Sequence, residues 1–107
     1  MNKDLYTYRI TWSEEDQEYV GLCLEFPSLS WLEDTPEGAL VGIRQVVAEA
    51  IEDMKETSES IPDPLSTQVY SGRFMVQVSP LLHRNLVFQA CEVGISFDRW
   101  VNHKLSQ

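Results

Sequence analysis

An alternating stretch near the C-terminal end places the strongest constraint on how this chain can fold. Between residues 72 and 78 two kinds of side chain alternate: Phe74, Val76 and Val78 fall on one face, and Arg73, Met75 and Gln77 on the other. A period of two is typical of a β-strand with one buried face. Because each unpartnered backbone N–H or C=O that becomes buried costs about 1–3 kcal/mol, this strand must pair. Its partner is either the N-terminal sheet or the same strand of a second molecule.

Two helices are predicted after this strand. Ser79 and Pro80 suit the start of the first helix, Gly94 suits its left-handed end, and Ser96 caps the second. Apolar residues recur at helical spacing in both helices: Leu82, Leu86, Ala90 and Val93 in the first, and Phe97, Trp100, Val101 and Leu105 in the second. Pairing of the strand with its own copy would give a two-stranded antiparallel ribbon over a core of helices, closed by a two-fold axis.

The first 32 residues predict a small antiparallel sheet. Residues 4–12 and 18–25 alternate in hydrophobicity, and an acidic turn at residues 13–16 joins them as a hairpin. Residues 29–32 predict a short third strand. One face of the first strand is expected to lie in the core of the sheet, and it carries Tyr6, Tyr8, Ile10 and Trp12.

A long amphipathic helix follows the sheet. Thr35 is placed to cap it, Pro36 suits its first turn, and Glu37 lies near the positive end of the helix dipole. Apolar residues then recur at spacings of three and four, so the helix is expected to run from Pro36 to about Glu56. This order of elements predicts an α+β fold, a small antiparallel sheet with one packed helix.

Charge divides the chain unevenly. Residues 1–57 form a predicted acidic domain, residues 58–70 a predicted linker rich in Ser, Pro and acidic residues, and residues 71–107 the strand and two helices. The net charge is −9. Residues 1–70 hold four basic and fifteen acidic residues, a charge of −11, whereas residues 71–107 hold four basic and two acidic residues, a charge of +2. This asymmetry suggests two partners of opposite charge.

Other features exclude several classes of protein. No stretch approaches the roughly 20 apolar residues that span a bilayer, and no apolar run after Met1 indicates a signal peptide, so a cytoplasmic protein is expected. Cys23 and Cys91 lie in apolar periodic segments and are expected to be buried thiols of a reducing compartment. His83 and His103 have no Cys or carboxylate at metal-ligand spacing, so no metal or other cofactor is expected.

Both halves of the chain resemble a known family. Residues 71–83 resemble the strand and first turn of the ribbon-helix-helix repressors of the Arc/MetJ type, and residues 94–97 resemble the turn between their helices. The hairpin, the Phe26-Pro27 break and the helix start at residues 34–37 resemble the N-terminal domain of HicB antitoxins, a partial RNase H-like fold. The two resemblances follow the order of that family and cover nearly the whole chain.

The resemblance implies a two-part function. HicB antitoxins neutralise HicA, a small basic toxin that cleaves mRNA, through the N-terminal domain, and they repress their own operon by binding operator DNA through the C-terminal domain. The base-reading residues of the ribbon correspond to Arg73, Met75 and Gln77, and the phosphate-binding start of the last helix corresponds to Ser96 and Phe97.

The partners expected from this resemblance are operator DNA, a basic HicA-like toxin and a second copy of the chain. An N-terminal charge of −11 is consistent with competition against RNA for a basic toxin. Glu25, Glu33 and Asp34, at strand and helix ends, are the candidate toxin contacts. A homodimer is expected through the ribbon, with a tetramer through the N-terminal domain as the alternative.

An enzyme and a stand-alone regulator are the other classes of function to weigh. Two-metal nucleases need carboxylates that converge on ions about 4 Å apart, whereas the strand centres carry residues such as Tyr8, Arg9 and Leu22. No Gly-rich phosphate loop, nucleophile elbow or Cys/His pair occurs, so catalysis is not expected. A ribbon-helix-helix regulator without a toxin stays open, and a neighbouring gene for a small basic protein would favour the antitoxin.

Overall fold

The computed structural model describes residues 2–107, which divide into two compact units between Tyr70 and Ser71. In the first unit, three strands form an antiparallel sheet in the order β1-β2-β3: β1 (Tyr8–Ser13), β2 (Glu18–Cys23) and β3 (Ser30–Glu33). Helix α1 (Pro36–Glu56) follows, and short 3-10 helices lie at Lys3–Leu5 and Leu65–Thr67. The predicted α+β class with a small antiparallel sheet is therefore confirmed.

Helix α1 covers one face of this sheet through a stripe of buried residues spaced four apart, Ala39, Ile43, Val47 and Ile51. The core cluster joins the last three of these to Tyr6, Cys23 and Phe26. Gly21, in the central strand, lets the helix approach the sheet closely, because a Cβ there would lie 2.5 Å from the carbonyl oxygen of Ala39. Any larger residue at this position would push the helix away from the sheet.

Hydroxyl caps begin all three α-helices of the described chain. Helices α2 (Pro80–Val93) and α3 (Phe97–Leu105) belong to the second unit. The side chains of Thr35, Ser79 and Ser96 each accept a hydrogen bond from the backbone N–H three residues later, at 3.0, 3.1 and 3.3 Å. Gly94, at a φ of +81°, ends α2 as predicted. No helix within residues 2–107 is both long and apolar enough to cross a membrane.

One residue of the predicted core face is exposed, whereas Tyr6 is buried and Tyr8 and Ile10 are half-buried. Trp12 is 45% exposed, its ring packs edge-on against Tyr19 at 5.1 Å, and its indole N–H donates to the Glu14 carboxylate at 2.7 Å. Trp12 is level with Tyr19 and Glu33 in the sheet, close to where the chain leaves β3 for α1. The prediction was wrong at Trp12 because alternation identifies a face but not how far the helix covers it.

Residues 61–66, inside the predicted linker, pack along the first unit. The Tyr6 hydroxyl donates to the carbonyl of Pro62 at 2.6 Å, and the Ser66 hydroxyl donates to the carbonyl of Leu5 at 2.6 Å. Ile61 packs against the core cluster, and Pro64 is buried. These contacts make the segment an ordered part of the first unit.

The carboxylate of Glu25 links this segment to Thr7, the residue that precedes β1. It accepts hydrogen bonds from the backbone N–H of Thr7 at 3.0 Å and from that of Leu65 at 2.9 Å. Desolvation raises the pKa of Glu25, but the N–H groups of Leu65 and Thr7 favour the charged form and outweigh it, so the net pKa lies below its ordinary 4.5. The folded state therefore favours the ionised carboxylate of Glu25.

We expect Glu25→Ala to lower the free energy of unfolding by about 1–3 kcal/mol at neutral pH, because two backbone N–H groups lose a charged acceptor. Because the pKa of Glu25 is lower in the folded chain than in the unfolded chain, its ionised carboxylate stabilises the fold at a pH above the unfolded pKa. This stabilisation is lost as the pH falls through the pKa of the folded chain. The difference from wild type should therefore narrow below pH 4.5.

Urea denaturation across this pH range measures the difference. Glu15→Ala is the matched control, since it also removes one carboxylate, from an exposed position in the hairpin turn. Equal losses of stability in the two variants, or a difference independent of pH, would contradict the role given to Glu25.

Candidate interaction surfaces

Residues 72–78, where the sequence predicts a strand, have no strand partner within the described chain. None of their backbone groups hydrogen-bonds to another backbone group in residues 2–107. The apolar side chains are uncovered as well, with Phe74 77% and Val76 62% exposed. This segment therefore combines a backbone that lacks a strand partner with an exposed apolar face.

The same apolar side chains line an open groove with α2 and α3, to which the helices contribute Leu82, Leu86, Phe97, Val101 and Leu105. The Trp100 indole N–H donates to the side-chain carbonyl of Gln89 at 3.0 Å and links the helices. Ala90 is the only buried residue among residues 71–107. Units of fewer than about 40 residues usually need oligomerisation, a disulfide or a metal for stability. The groove, which we call the apolar groove, therefore lacks the cover that a stable core requires.

The residues predicted to contact DNA are all exposed. Arg73, Met75 and Gln77 follow one another at every second position of the unpaired segment. Ser96 and Phe97 lie at the start of α3, where the Ser96 hydroxyl accepts the capping hydrogen bond. The Phe97 ring lines the apolar groove, so its contribution to an anion site would come from its backbone N–H.

A second surface lies on the first unit between β3 and the first half of α1. Trp31 packs over Gly42, where a Cβ would overlap the indole ring. The indole N–H of Trp31 donates to the carboxylate of Glu33 at 3.2 Å. Glu37, Val41 and Gln45 also line this surface, which we call the β3–α1 cleft.

Residues 56–105 match the model of the HicB family. The matched residues include the end of α1, the segment that Glu25 fastens and nearly all of the second unit. These 50 residues are therefore similar to that family. No curated protein and no solved structure was found to match the chain.

The three predicted toxin contacts lie in different surroundings. The Glu25 carboxylate is directed at backbone N–H groups of its own unit, whereas Asp34 is exposed. Glu33 lines the β3–α1 cleft together with Glu37. Val41 lines the same cleft but was not among the residues predicted from the sequence. Its apolar side chain lies outside the apolar stripe of α1, and this position could have indicated an exposed surface.

The two thiols differ in burial. Cys23 is buried and free, and burial raises the pKa of its thiol. Cys91 is free and exposed, so the expectation of two buried thiols was wrong for Cys91. The helix that carries it has an uncovered surface, and helical spacing alone does not show this. Within residues 2–107, no group of three or more His, Cys, Asp or Glu residues could hold a metal ion.

We expect Gly42→Ala to displace the Trp31 ring from the cleft and to lower the free energy of unfolding by about 1–3 kcal/mol through overpacking. In a Trp31→Ala background the same change should instead stabilise the chain, since Ala favours a helix over Gly by about 1 kcal/mol. Urea denaturation of the four proteins in this double-mutant cycle measures the coupling. An effect of the same sign and size in both backgrounds would contradict the contact.

Proposed function

We propose that this chain is a HicB-type antitoxin that neutralises a HicA-like mRNA-cleaving toxin and represses its own operon. The match over residues 56–105 supports the antitoxin role. The observation that carries the repressor role is the unpaired, apolar segment at residues 72–78. In this proposal the protein acts in the cytoplasm and uses no cofactor. It is not a two-metal nuclease, because its strand centres carry no converging carboxylates.

A second copy of the chain is the proposed partner of the apolar groove. Two segments of identical sequence, paired antiparallel about a two-fold axis, would satisfy each other's backbone groups. Phe74, Val76 and Val78 of both copies would then cover a core made from α2 and α3 of each. This pairing supplies hydrogen bonds and apolar cover in one step, and both are lacking in a single copy.

The outer face of the paired ribbon would bind operator DNA. Arg73, Met75 and Gln77 from each copy would point away from the core, and a two-stranded ribbon fits the major groove of B-DNA. Arg and Gln can donate to base edges, while Met75 can contact a thymine methyl group. The start of α3, at Ser96 and Phe97, would hold a backbone phosphate. The charge of +2 over residues 71–107 agrees with this assignment.

The first unit would bind the toxin, because residues 1–70 carry a charge of −11. An acidic surface attracts a basic toxin over a long range and competes with RNA for it. The proposal is tested by expressing the chain together with a HicA-like toxin and measuring both growth and operator binding. Rescue of growth with operator binding supports it. Operator binding without rescue would instead indicate a stand-alone regulator.

We expect Val76→Asp to convert the dimer into a monomer, because a carboxylate would replace an apolar side chain in the shared core. Light scattering at roughly micromolar concentration measures the oligomeric state. Met75→Asp is the matched control, since it places the same charge on the opposite side of the segment and should leave the dimer intact. A wild-type monomer, or a Val76→Asp dimer as stable as wild type, would contradict the ribbon.

We expect Arg73→Ala and Gln77→Ala each to cost about 1–3 kcal/mol in operator binding while toxin neutralisation is unchanged. Fluorescence anisotropy with labelled operator DNA at fixed salt measures the first effect, and growth during co-expression measures the second. Lys55→Ala removes a basic side chain from the first unit and serves as the control for charge. If both ribbon variants bind operator as wild type does, these residues do not read the bases.

A further inference from the structure

The β3–α1 cleft has the properties of a protein-docking surface. Trp31 is 41% exposed and Val41 69% exposed, so two large apolar groups face solvent side by side with carboxylates. Strand β3 is also an edge of the sheet, because the strand order is β1-β2-β3. Exposed apolar side chains that share a concave surface with polar groups are typical of interaction sites.

The Trp31 ring is held in one orientation. It packs over Gly42 on one side, and its indole N–H donates to Glu33 at 3.2 Å. A fixed aromatic ring loses little conformational entropy on binding, which makes it a good anchor for a partner. The electron-rich face of an indole also attracts a cation within about 6 Å.

The charges around the ring favour a cationic occupant. Glu33 and Glu37 line the cleft, and no Lys or Arg does. Arg44, the basic residue nearest to the cleft along α1, forms an ion pair with Asp4. A guanidinium or ammonium group in the cleft would therefore meet an indole and two carboxylates without a competing cation.

We propose that the β3–α1 cleft is the docking site for an Arg or Lys side chain of the basic toxin, with Trp31 as the aromatic anchor and Glu33 and Glu37 as the ion-pair partners. This inference rests on the proposed function and locates toxin binding at the β3–α1 cleft. A second copy of this chain is a poorer occupant, because its first unit carries the same charge of −11 and would bring like charges together.

Two substitutions test the cleft without disturbing the core. Val41→Lys and Gln45→Lys both change exposed residues of α1 that line it. The ammonium group introduced at position 41 would lie one helical turn from Glu37 and occupy the place of the partner's cation. Glu52→Gln is the matched control, because it changes an exposed residue of the same helix outside the cleft. Each of the three substitutions raises the net charge by one, from −9 to −8.

Calorimetric titration of the full chain with a catalytically inactive HicA-like toxin measures the affinity. We expect each cleft variant to bind at least about tenfold more weakly than wild type, because like charges then face each other. Glu52→Gln should bind within about twofold of wild type, because a single exposed charge contributes little. Circular dichroism and operator binding should be the same in all four proteins.

The outcomes separate this inference from the function on which it rests. If wild type binds the toxin and both cleft variants bind as tightly, the docking site lies elsewhere while the antitoxin role stands. If Glu52→Gln weakens toxin binding as much as the cleft variants do, the effect comes from overall charge, and the cleft is not the docking site. If the cleft variants change the oligomeric state and not the toxin affinity, a second copy is the occupant. Failure of wild type to bind any HicA-like toxin overturns both proposals.

Discussion

The backbone of residues 72–78 sets the requirement on which the second unit depends. Water can hydrogen-bond to its peptide groups only while the segment stays exposed. Burial of the exposed side chains of Phe74, Val76 and Val78, by contrast, would lower the free energy. Within the described residues no strand pairs with this segment, and Ala90 is the only buried residue among residues 71–107. In the proposed repressor a paired second copy would meet both demands together, so dimerisation and the display of Arg73, Met75 and Gln77 would be one event.

The first unit differs from the second because it buries its own hydrophobic core. Gly21 lets α1 approach the sheet closely, and the carboxylate of Glu25 links Thr7, just before β1, to Leu65. No buried side-chain nitrogen or oxygen in the described residues is without a hydrogen-bond partner. The remaining acidic residues can therefore stay on the surface, where their charge costs the core little and is available to a basic partner.

Much of this fold could be predicted from local sequence patterns. The hairpin, the bounds of α1, the hydroxyl caps at Thr35, Ser79 and Ser96 and the end of α2 at Gly94 all depend on residues close in sequence. Of the candidate toxin contacts, Glu33 lines a cleft, whereas Glu25 is directed at backbone groups of its own unit. No local pattern distinguishes these two carboxylates, because Leu65 lies 40 residues from Glu25.

The period of each element, its caps and the division of charge follow from the amino-acid sequence alone, since they depend on neighbouring side chains and backbone preferences. How far α1 covers the sheet, and where the segment after α1 packs, became visible in the three-dimensional fold, in which Trp12 stays exposed. The fold also places Trp31 over Gly42 beside Glu33. These outcomes depend on the distance and angle between elements far apart in the chain, and periodicity carries no information about either.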